Sequence, residues 1–175
     1  MQILLLRPVP SNERFGLGPF FRIEPLGMEY IAAALQANGH SVTIADLRFS
    51  RSVEHHIRTM RPGLVGIAGM HALETDNVLE LAARVRRASP AVPIVVGGHT
   101  AAAYPAPFLS SDVTAVVVDD GERAMPALVR ALERGDSLTE VPGLVVRDAS
   151  GAPFRTGGEL GMLQLRCLTS LEHCL

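Results

Sequence analysis

Four short segments of this 175-residue chain carry side chains able to hold a ligand, and each lies just beyond an apolar run. Met70 and His71 follow residues 64–68, and Gly97-Gly98-His99 follow residues 93–96. Asp119-Asp120-Gly121-Glu122 follow residues 114–118. A long Pro- and Gly-bearing stretch after residues 2–6 ends with Arg22, Glu24, Pro25 and Gly27. Thioether, imidazole, carboxylate and guanidinium groups are thus mixed with glycines, which let a flat ligand approach the backbone where a Cβ would clash. This mixture suits binding rather than nucleophilic attack: there is no Gly-x-Ser-x-Gly elbow and no Ser/His/Asp set in a recognisable context. Asp119-Asp120 has the spacing of a metal pair, but Asp120 is expected to cap the helix that follows it. A loop histidine such as His71 or His99 is more often solvated or capping than a ligand. His55 and His56 are adjacent on a short helix, so their rings point apart, toward solvent rather than a metal.

The elements that must position these groups alternate regularly. Strands are expected at residues 2–6, 42–45, 64–68, 93–96 and 114–118. Helices are expected at residues 25–38, 52–60, 75–88 and 122–134, with a short one at 101–109 interrupted by Pro105 and Pro107. Pro25 suits a first helical turn and Gly39 a helix end. The first helix carries Leu26, Tyr30, Ala33 and Ala34 along one side. Strands separated by helices require crossovers, hence an α/β fold with a doubly wound, mainly parallel five-stranded sheet. From Gly143 the pattern changes: residues 144–147 and 152–155 flank Asp148-Ala149-Ser150-Gly151, a turn sequence that predicts a β-hairpin. The expected organisation is a binding domain over residues 1–140, a hairpin extension over 141–156 and a tail over 157–175. In open parallel sheets ligands collect at the carboxyl ends of strands, where these segments lie. Three short glycine-bearing loops and one long loop there fit a bulky ligand lying flat across the sheet edge.

Composition narrows the class. Small aliphatics dominate the 47% apolar content and aromatics make up only 5%, as suits parallel strands covered on both faces. A net charge of −2, with 16 basic and 18 acidic residues dispersed, gives no basic patch for nucleic acid or anionic membrane. No apolar run approaches a membrane span, and the first six residues are too short for a signal-peptide core, so a cytoplasmic location is expected. Cys167 and Cys174 both fall in the last nine residues, leaving the body without disulfides. A dinucleotide fingerprint is missing: Gly16-Leu17-Gly18 comes late after the first strand, with Phe21 at the third glycine position. The P-loop pattern is also absent, and the third strand ends in Ala68-Gly69 rather than in the aspartate of a receiver domain.

Several runs, taken together, carry a resemblance. Residues 25–35 (PLGMEYIAAAL), Gly39-His40-Ser41-Val42, Val65-Gly66-Ile67, Pro93-Ile94-Val95-Val96-Gly97-Gly98-His99 and Asp120-Gly121-Glu122 resemble the cobalamin (vitamin B12)-binding domain of B12-dependent radical SAM enzymes. The hairpin from Val141 to Arg147 resembles the segment that follows this domain, so the likeness covers roughly residues 1–156. Relatives that place a histidine on cobalt use Asp-x-His-x-x-Gly, then Ser-x-Leu, then Gly-Gly. Here Gly27 and Gly97-Gly98 match, while Glu24 takes the histidine position, Arg22 the aspartate, Ala68 the serine and Met70 the leucine. The radical SAM branch usually lacks that histidine too. The resemblance implies that the nucleotide tail of cobalamin inserts along one side of the sheet, with Gly66, Gly97 and Gly98 as relief points and Gly27 opening the wall at the first helix. It implies that Met70 and His71 lie under the corrin face and that Glu122 caps the helix after the fifth strand.

The implied function is to hold methylcobalamin, without a protein histidine on cobalt, for a radical SAM domain or protein. That domain's Cys-x-x-x-Cys-x-x-Cys motif does not occur in this sequence, so no iron–sulfur cluster is expected within it. The chain is then a truncated piece, a degenerate relative or a free-standing module. Two other readings stay open: a fold that has lost cobalamin or takes another planar ligand, and a corrinoid carrier acting in trans.

Overall fold

The computed structural model describes residues 1–9, 24–49 and 52–157. Arg22, the Gly16-Leu17-Gly18 run, Cys167 and Cys174 lie outside them. Seven strands, β1 (Gln2–Arg7), β2 (Ser41–Asp46), β3 (Leu64–Ala68), β4 (Ile94–Gly97), β5 (Ala115–Val117), β6 (Leu144–Arg147) and β7 (Pro153–Arg155), form one sheet in the order β2-β1-β3-β4-β5-β6-β7. The first five are mutually parallel, with Leu4 opposite both Thr43 and Val65, and Ala68 opposite Gly97. Between them run α1 (Leu26–Ala37), α2 (Val53–Met60), α3 (Thr75–Ala88), α4 (His99–Ala103) and α5 (Gly121–Arg134).

The central strands are covered on both faces, which is why they read as continuous apolar runs rather than alternating ones. On one face Ile3, Leu5, Val95 and Val117 pack with Ala32 and Leu35 of α1 and Leu128 and Val129 of α5. On the other, Leu4, Leu6, Val65 and Val96 pack with Val53 and Ile57 of α2, Val78, Leu81 and Val85 of α3, and Ala101 of α4. Each residue change along a strand therefore switches between two cores.

The structure revises the sequence reading in three places. The side of α1 bearing Leu26 and Tyr30 faces outward, with those residues 57% and 63% exposed, while the buried positions are Ala32 and Leu35. The helix is apolar nearly all round, so periodicity alone could not pick its inner face. The segment expected as one short helix over 101–109 divides into α4, starting at His99, and a 3₁₀ turn at Ala106–Phe108. Pro105 supplies no N–H to continue α4, and Phe108 anchors the turn in the core at 1% exposure.

Third, the expected hairpin joins the sheet itself, which has seven strands rather than five. β6 pairs antiparallel with β5 and β7 with β6, so the pair extends the sheet. Its base is closed by Thr156, 2% exposed, whose hydroxyl accepts from the Leu144 N–H at 3.0 Å and donates to the Val141 carbonyl. Asp148 closes the other end, its Oδ1 accepting from the Ser150 and Ala152 N–H groups at 2.8 and 3.0 Å. Because Thr156→Val keeps the shape and removes both hydroxyl bonds, we expect it to destabilise the whole domain by about 1–3 kcal/mol. Urea unfolding should show one transition at a lower midpoint with an unchanged slope; loss of a separate, small transition would show that the hairpin folds independently.

Candidate functional site

The strand order fixes where a ligand can approach. From β1 the chain turns to α1 and β2, whereas from β3 it continues through α3 to β4, and these two helices lie on opposite faces. The loops leaving β1 and β3 therefore diverge, opening the crevice at the topological switch point where doubly wound folds bind ligands. Glu24 and Gly27 border it at the start of α1, and Met70 and His71 border it after β3; all four are exposed. His99 and Gly98 continue the rim after β4, also exposed, and Asp120 and Glu122 do so after β5. The structure thus brings every described candidate except Gly66 to one edge of the sheet or its border; Gly66 is buried within β3, and Ala68 ends that strand half-buried.

The loops after β3 and β4 are spliced together. The Gly69 N–H donates to the Gly97 carbonyl at 2.6 Å, the Ala101 N–H to the Gly69 carbonyl at 3.2 Å, and the Thr100 hydroxyl to the Met70 carbonyl at 2.8 Å. Gly98 turns the chain at φ +118, where a Cβ would stand 2.9 Å from the Gly69 oxygen, so this glycine is required by the backbone itself.

The other glycines differ in kind. At Gly66 a Cβ would stand 2.7 Å from Leu5 Cδ2, and Met125 Cε comes within 3.9 Å, so the relief point is filled from within. At Gly121 it would stand 2.9 Å from Ile31 Cδ1. At Gly97 the nearest atom is Val117 Cβ at 3.5 Å, an ordinary contact, and at Gly27 nothing lies within 4 Å. Neither Gly97 nor Gly27 is demanded by the protein's own packing, and Gly27 weakens the start of a helix.

One capping expectation changes. Asp120 sits at the N-cap of α5, yet its side chain makes no capping bond; its backbone carbonyl takes the Arg123 and Ala124 N–H groups instead. Its carboxyl instead shares a hydrogen bond with that of Glu122, which also accepts from its own first-turn N–H. The shared bond, and then the repulsion between the two carboxylates, raise Glu122 above its ordinary value. Glu122 is fully exposed, so the shift has no bearing on stability.

Sequence reasoning missed two features of this edge. Leu26, Tyr30, Phe49, Met70, Leu73 and Tyr104 are all large, apolar and 49–70% exposed, and each lies in or near a segment following the carboxyl end of a parallel strand. Phe49, Leu73 and Tyr104 are visible in the sequence only as apolar residues outside the periodic runs, whereas Leu26 and Tyr30 read there as the inner side of the first helix and Met70 is already a candidate. The second feature is a charge cluster at the ends of β1 and β2, where Arg7 and Asp46 are in register. Arg48 grips Asp46 with Nε at 3.0 Å and Nη2 at 2.6 Å, while Arg7 stands 3.6 Å away. Burial works to raise Asp46, but the Arg48 hydrogen bonds and the two positive charges outweigh it and hold the carboxyl below its ordinary value. Burial, and then Arg48, lower Arg7.

Two open hollows lie toward α2 and α3, the first of them beginning just past the carboxyl ends of β1 and β2. One of about 350 Å³ is bordered by Val9, Leu47, Asn77 and Arg84, and a smaller one by Glu54, Arg58, Arg84 and Arg87. Arg84 is spoken for by a two-point bond to Glu54 at 2.8 and 2.9 Å, and the glycine-bearing edge borders neither hollow. Among the described residues no group of three or more His, Cys, Asp or Glu side chains could hold a metal ion, and no helix is long and apolar enough to cross a membrane.

Comparison with known proteins identifies the family. The profile of the B12 binding domain family matches residues 19–129. The chain is 30% identical over 144 residues to hopanoid C-3 methylase of Methylococcus capsulatus, covering 77% of this chain and 27% of that protein. It is 28% identical to cytidylyl-2-hydroxyethylphosphonate methyltransferase of Streptomyces wedmorensis, covering 86% of this chain and 32% of that one. The chain thus spans about a third or less of these curated relatives. The fold matches the radical S-adenosylmethionine methyltransferase TsrM of Kitasatospora setae, with cobalamin and a [4Fe-4S] cluster bound, at a TM-score of 0.74. That match has 23% identity and covers 90% of this chain and 29% of the other. The cobalamin-dependent radical enzyme OxsB, with aqua-cobalamin bound, matches at 0.72 and 18% identity over 90% of this chain and 22% of its own.

Two substitutions have definite expected outcomes. Gly27→Ala should stabilise the domain by about 0.5 kcal/mol, since it improves helix propensity and meets no atom; a loss of thermal stability would show an unseen constraint there. Asp46 has a folded-state pKa below its unfolded value near 3.9, so its contribution is complete above that value and is lost as pH falls through the folded one. Asp46→Asn should therefore lower the thermal midpoint at pH 7 and flatten the fall of the midpoint below about pH 4.

Proposed function

The chain belongs to the B12 binding domain family, and we propose that it holds cobalamin over the carboxyl ends of β1 and β3, with the nucleotide tail away from cobalt and no protein histidine on the metal. Support comes chiefly from one observation: the switch-point crevice is rimmed by exposed apolar side chains and by Gly27 and Gly97, glycines the protein's own packing does not require. A rim of that kind fits the broad, largely apolar face of a corrin with amide groups at its periphery. Glu24, at the helix start where a histidine would be needed, offers a carboxylate that can accept from a corrin amide. Asp120 and Glu122 offer the same at the far side of the edge. Leu5, Met125 and Ile31 occupy the space beside Gly66 and Gly121. A nucleotide tail entering there would displace unbranched or terminal methyl groups rather than backbone.

When bound, methylcobalamin supplies a methyl group to an acceptor. The protein's part is to orient the corrin, hold its amides and leave its outer face free for a catalytic partner. That partner is proposed to be a radical SAM domain or protein, in keeping with the enzymes whose folds match.

A second reading, a scaffold that has lost cobalamin or takes another planar ligand, draws on Gly66 and Gly98, whose glycine identity the fold itself accounts for. The test mixes purified protein with hydroxocobalamin, desalts it, and records the visible spectrum and cobalt content. Near-stoichiometric cobalt and a base-off spectrum, little changed by Glu24→Ala, are expected. A folded protein that emerges colourless and cobalt-free overturns the reading. Gly97→Ala should fold normally, because the added methyl meets only Val117 at an ordinary 3.5 Å, but should weaken cobalamin retention. Gly97→Leu should lose it while circular dichroism and the thermal midpoint stay close to those of the Ala variant; retention by both variants would remove Gly97 from the site.

A further inference from the structure

We propose that the amino edge of the sheet, opposite the ligand edge, carries a zinc site made from the Met1 α-amine, His40 Nδ1 and Glu133 Oε1. The amine stands 3.4 Å from Nδ1 and 3.4 Å from Oε1, and Nδ1 stands 3.7 Å from Oε1. Three donors so spaced trace one face of a coordination tetrahedron, because zinc bonds of about 2.0–2.2 Å set neighbouring ligands about 3.3–3.6 Å apart. An amine, an imidazole and a carboxylate suit a borderline cation such as zinc, whereas calcium and magnesium take oxygen. The article's wider metal criterion, three side chains of His, Cys, Asp or Glu, passes over this trio because its third donor is a main-chain amine.

Each donor is held by a different element. The Met1 carbonyl accepts from the Ser41 N–H at 3.0 Å, and its side chain lies across Gly63, where a Cβ would stand 2.7 Å from Met1 Cγ. The amine is therefore fixed by both ends of its own residue. His40 follows the left-handed turn at Gly39 (φ +83) that closes α1, its N–H donating to the Leu35 carbonyl at 3.2 Å, and its side chain is 7% exposed. Glu133 lies in the last turn of α5 with its side chain 40% exposed, which leaves a fourth position open to water.

His40 is what a simple ion pair between Met1 and Glu133 does not explain. If Nδ1 accepts from the ammonium, the ring proton sits on Nε2, which is buried without a hydrogen-bond partner. If the proton sits on Nδ1, it points toward the ammonium charge. A cation between the three donors resolves the conflict at Nδ1: the amine gives one proton to solvent as its lone pair goes to the metal, while the neutral imidazole and the carboxylate give none. The ligated ring still lacks an outer partner at Nε2, which costs about 10–100-fold in affinity, so the zinc is exchangeable. Bound there, it clamps the start of β1 to the ends of α1 and α5, the two helices that cover one face of the sheet.

The experiment titrates zinc into the full chain carrying Cys167→Ser and Cys174→Ser, so that no thiol competes, by calorimetry in two buffers of different ionisation enthalpy. The thermal midpoint is read with zinc and with a chelator. One zinc per chain, one proton released, and a rise in midpoint that the chelator reverses are expected. Glu133→Gln, His40→Gln, and a Gly-Ser extension ahead of Met1 that moves the amine away should each weaken binding at least about ten-fold. Circular dichroism checks folding; should His40→Gln fail to fold, the exposed Glu133 and the extension still decide. Zinc binding that survives both of those changes overturns the site. So does binding without proton release, which removes the amine as a ligand, and so does a midpoint indifferent to zinc, which leaves the trio an ion pair only.

Discussion

The carboxyl edge of the sheet depends on the backbone splice between the loops leaving β3 and β4. Parallel strands end in loops that run to different helices, and nothing in a ladder of strand hydrogen bonds holds those loops together. Here the Gly69 and Ala101 N–H groups and the Thr100 hydroxyl do so, across a turn at Gly98 that only a residue without Cβ can make. Phe108 and Ala101 press on Gly69 from beneath, with a Cβ there standing 3.2 and 3.3 Å from them, so the splice is braced by the core of the α2–α3 face. The rim residues inherit their positions from this arrangement: His99 and Thr100 from α4, and Met70 and His71 from the segment that α4 holds down. A site assembled this way gains its precision from main-chain bonds, so its exposed side chains can vary without disturbing the platform.

The outer strands answer a different constraint. Two edges of a seven-stranded sheet must end somewhere, and this one ends on β2, with Ser41 and Thr43 exposed, and on a three-residue β7. Short or polar edges pair poorly with other chains. The antiparallel hairpin lets the sheet finish beside β5 without another crossover helix, and Thr156 ties the finish to the rest by bonding at once to Val141 and Leu144.

Much of this was legible beforehand because strands buried on both faces announce themselves. Residues 64–68 and 75–88 were readable to the residue as β3 and α3, the one a continuous apolar run between breakers, the other a strongly amphipathic repeat. The edge carrying the candidate groups followed from their position after each run. Less legible was anything that depends on which way an apolar helix faces: α1 offers apolar residues on both sides, and only its packing against α5 shows that Leu35, not Tyr30, is inside. Asp120 looked like a cap because its position and type were right. That its carboxyl turns to Glu122 instead is a matter of rotamers, which sequence spacing does not encode. The exposure of Leu73 and Tyr104 was invisible for a different reason, since apolar residues outside a periodic run read as noise until the fold is known.

The packing beside Gly66 and Gly121 bears on how the protein passes between filled and empty states. Leu5, Met125 and Ile31 lie in the volume that two missing Cβ atoms leave, so those positions stay dry and in contact without a guest. A visitor entering from the α1–α5 side exchanges one set of dispersion contacts for another instead of wetting or drying a hole. When it departs, the same flexible groups fall back. On the proposed reading, exchange of the occupant would not expose the core.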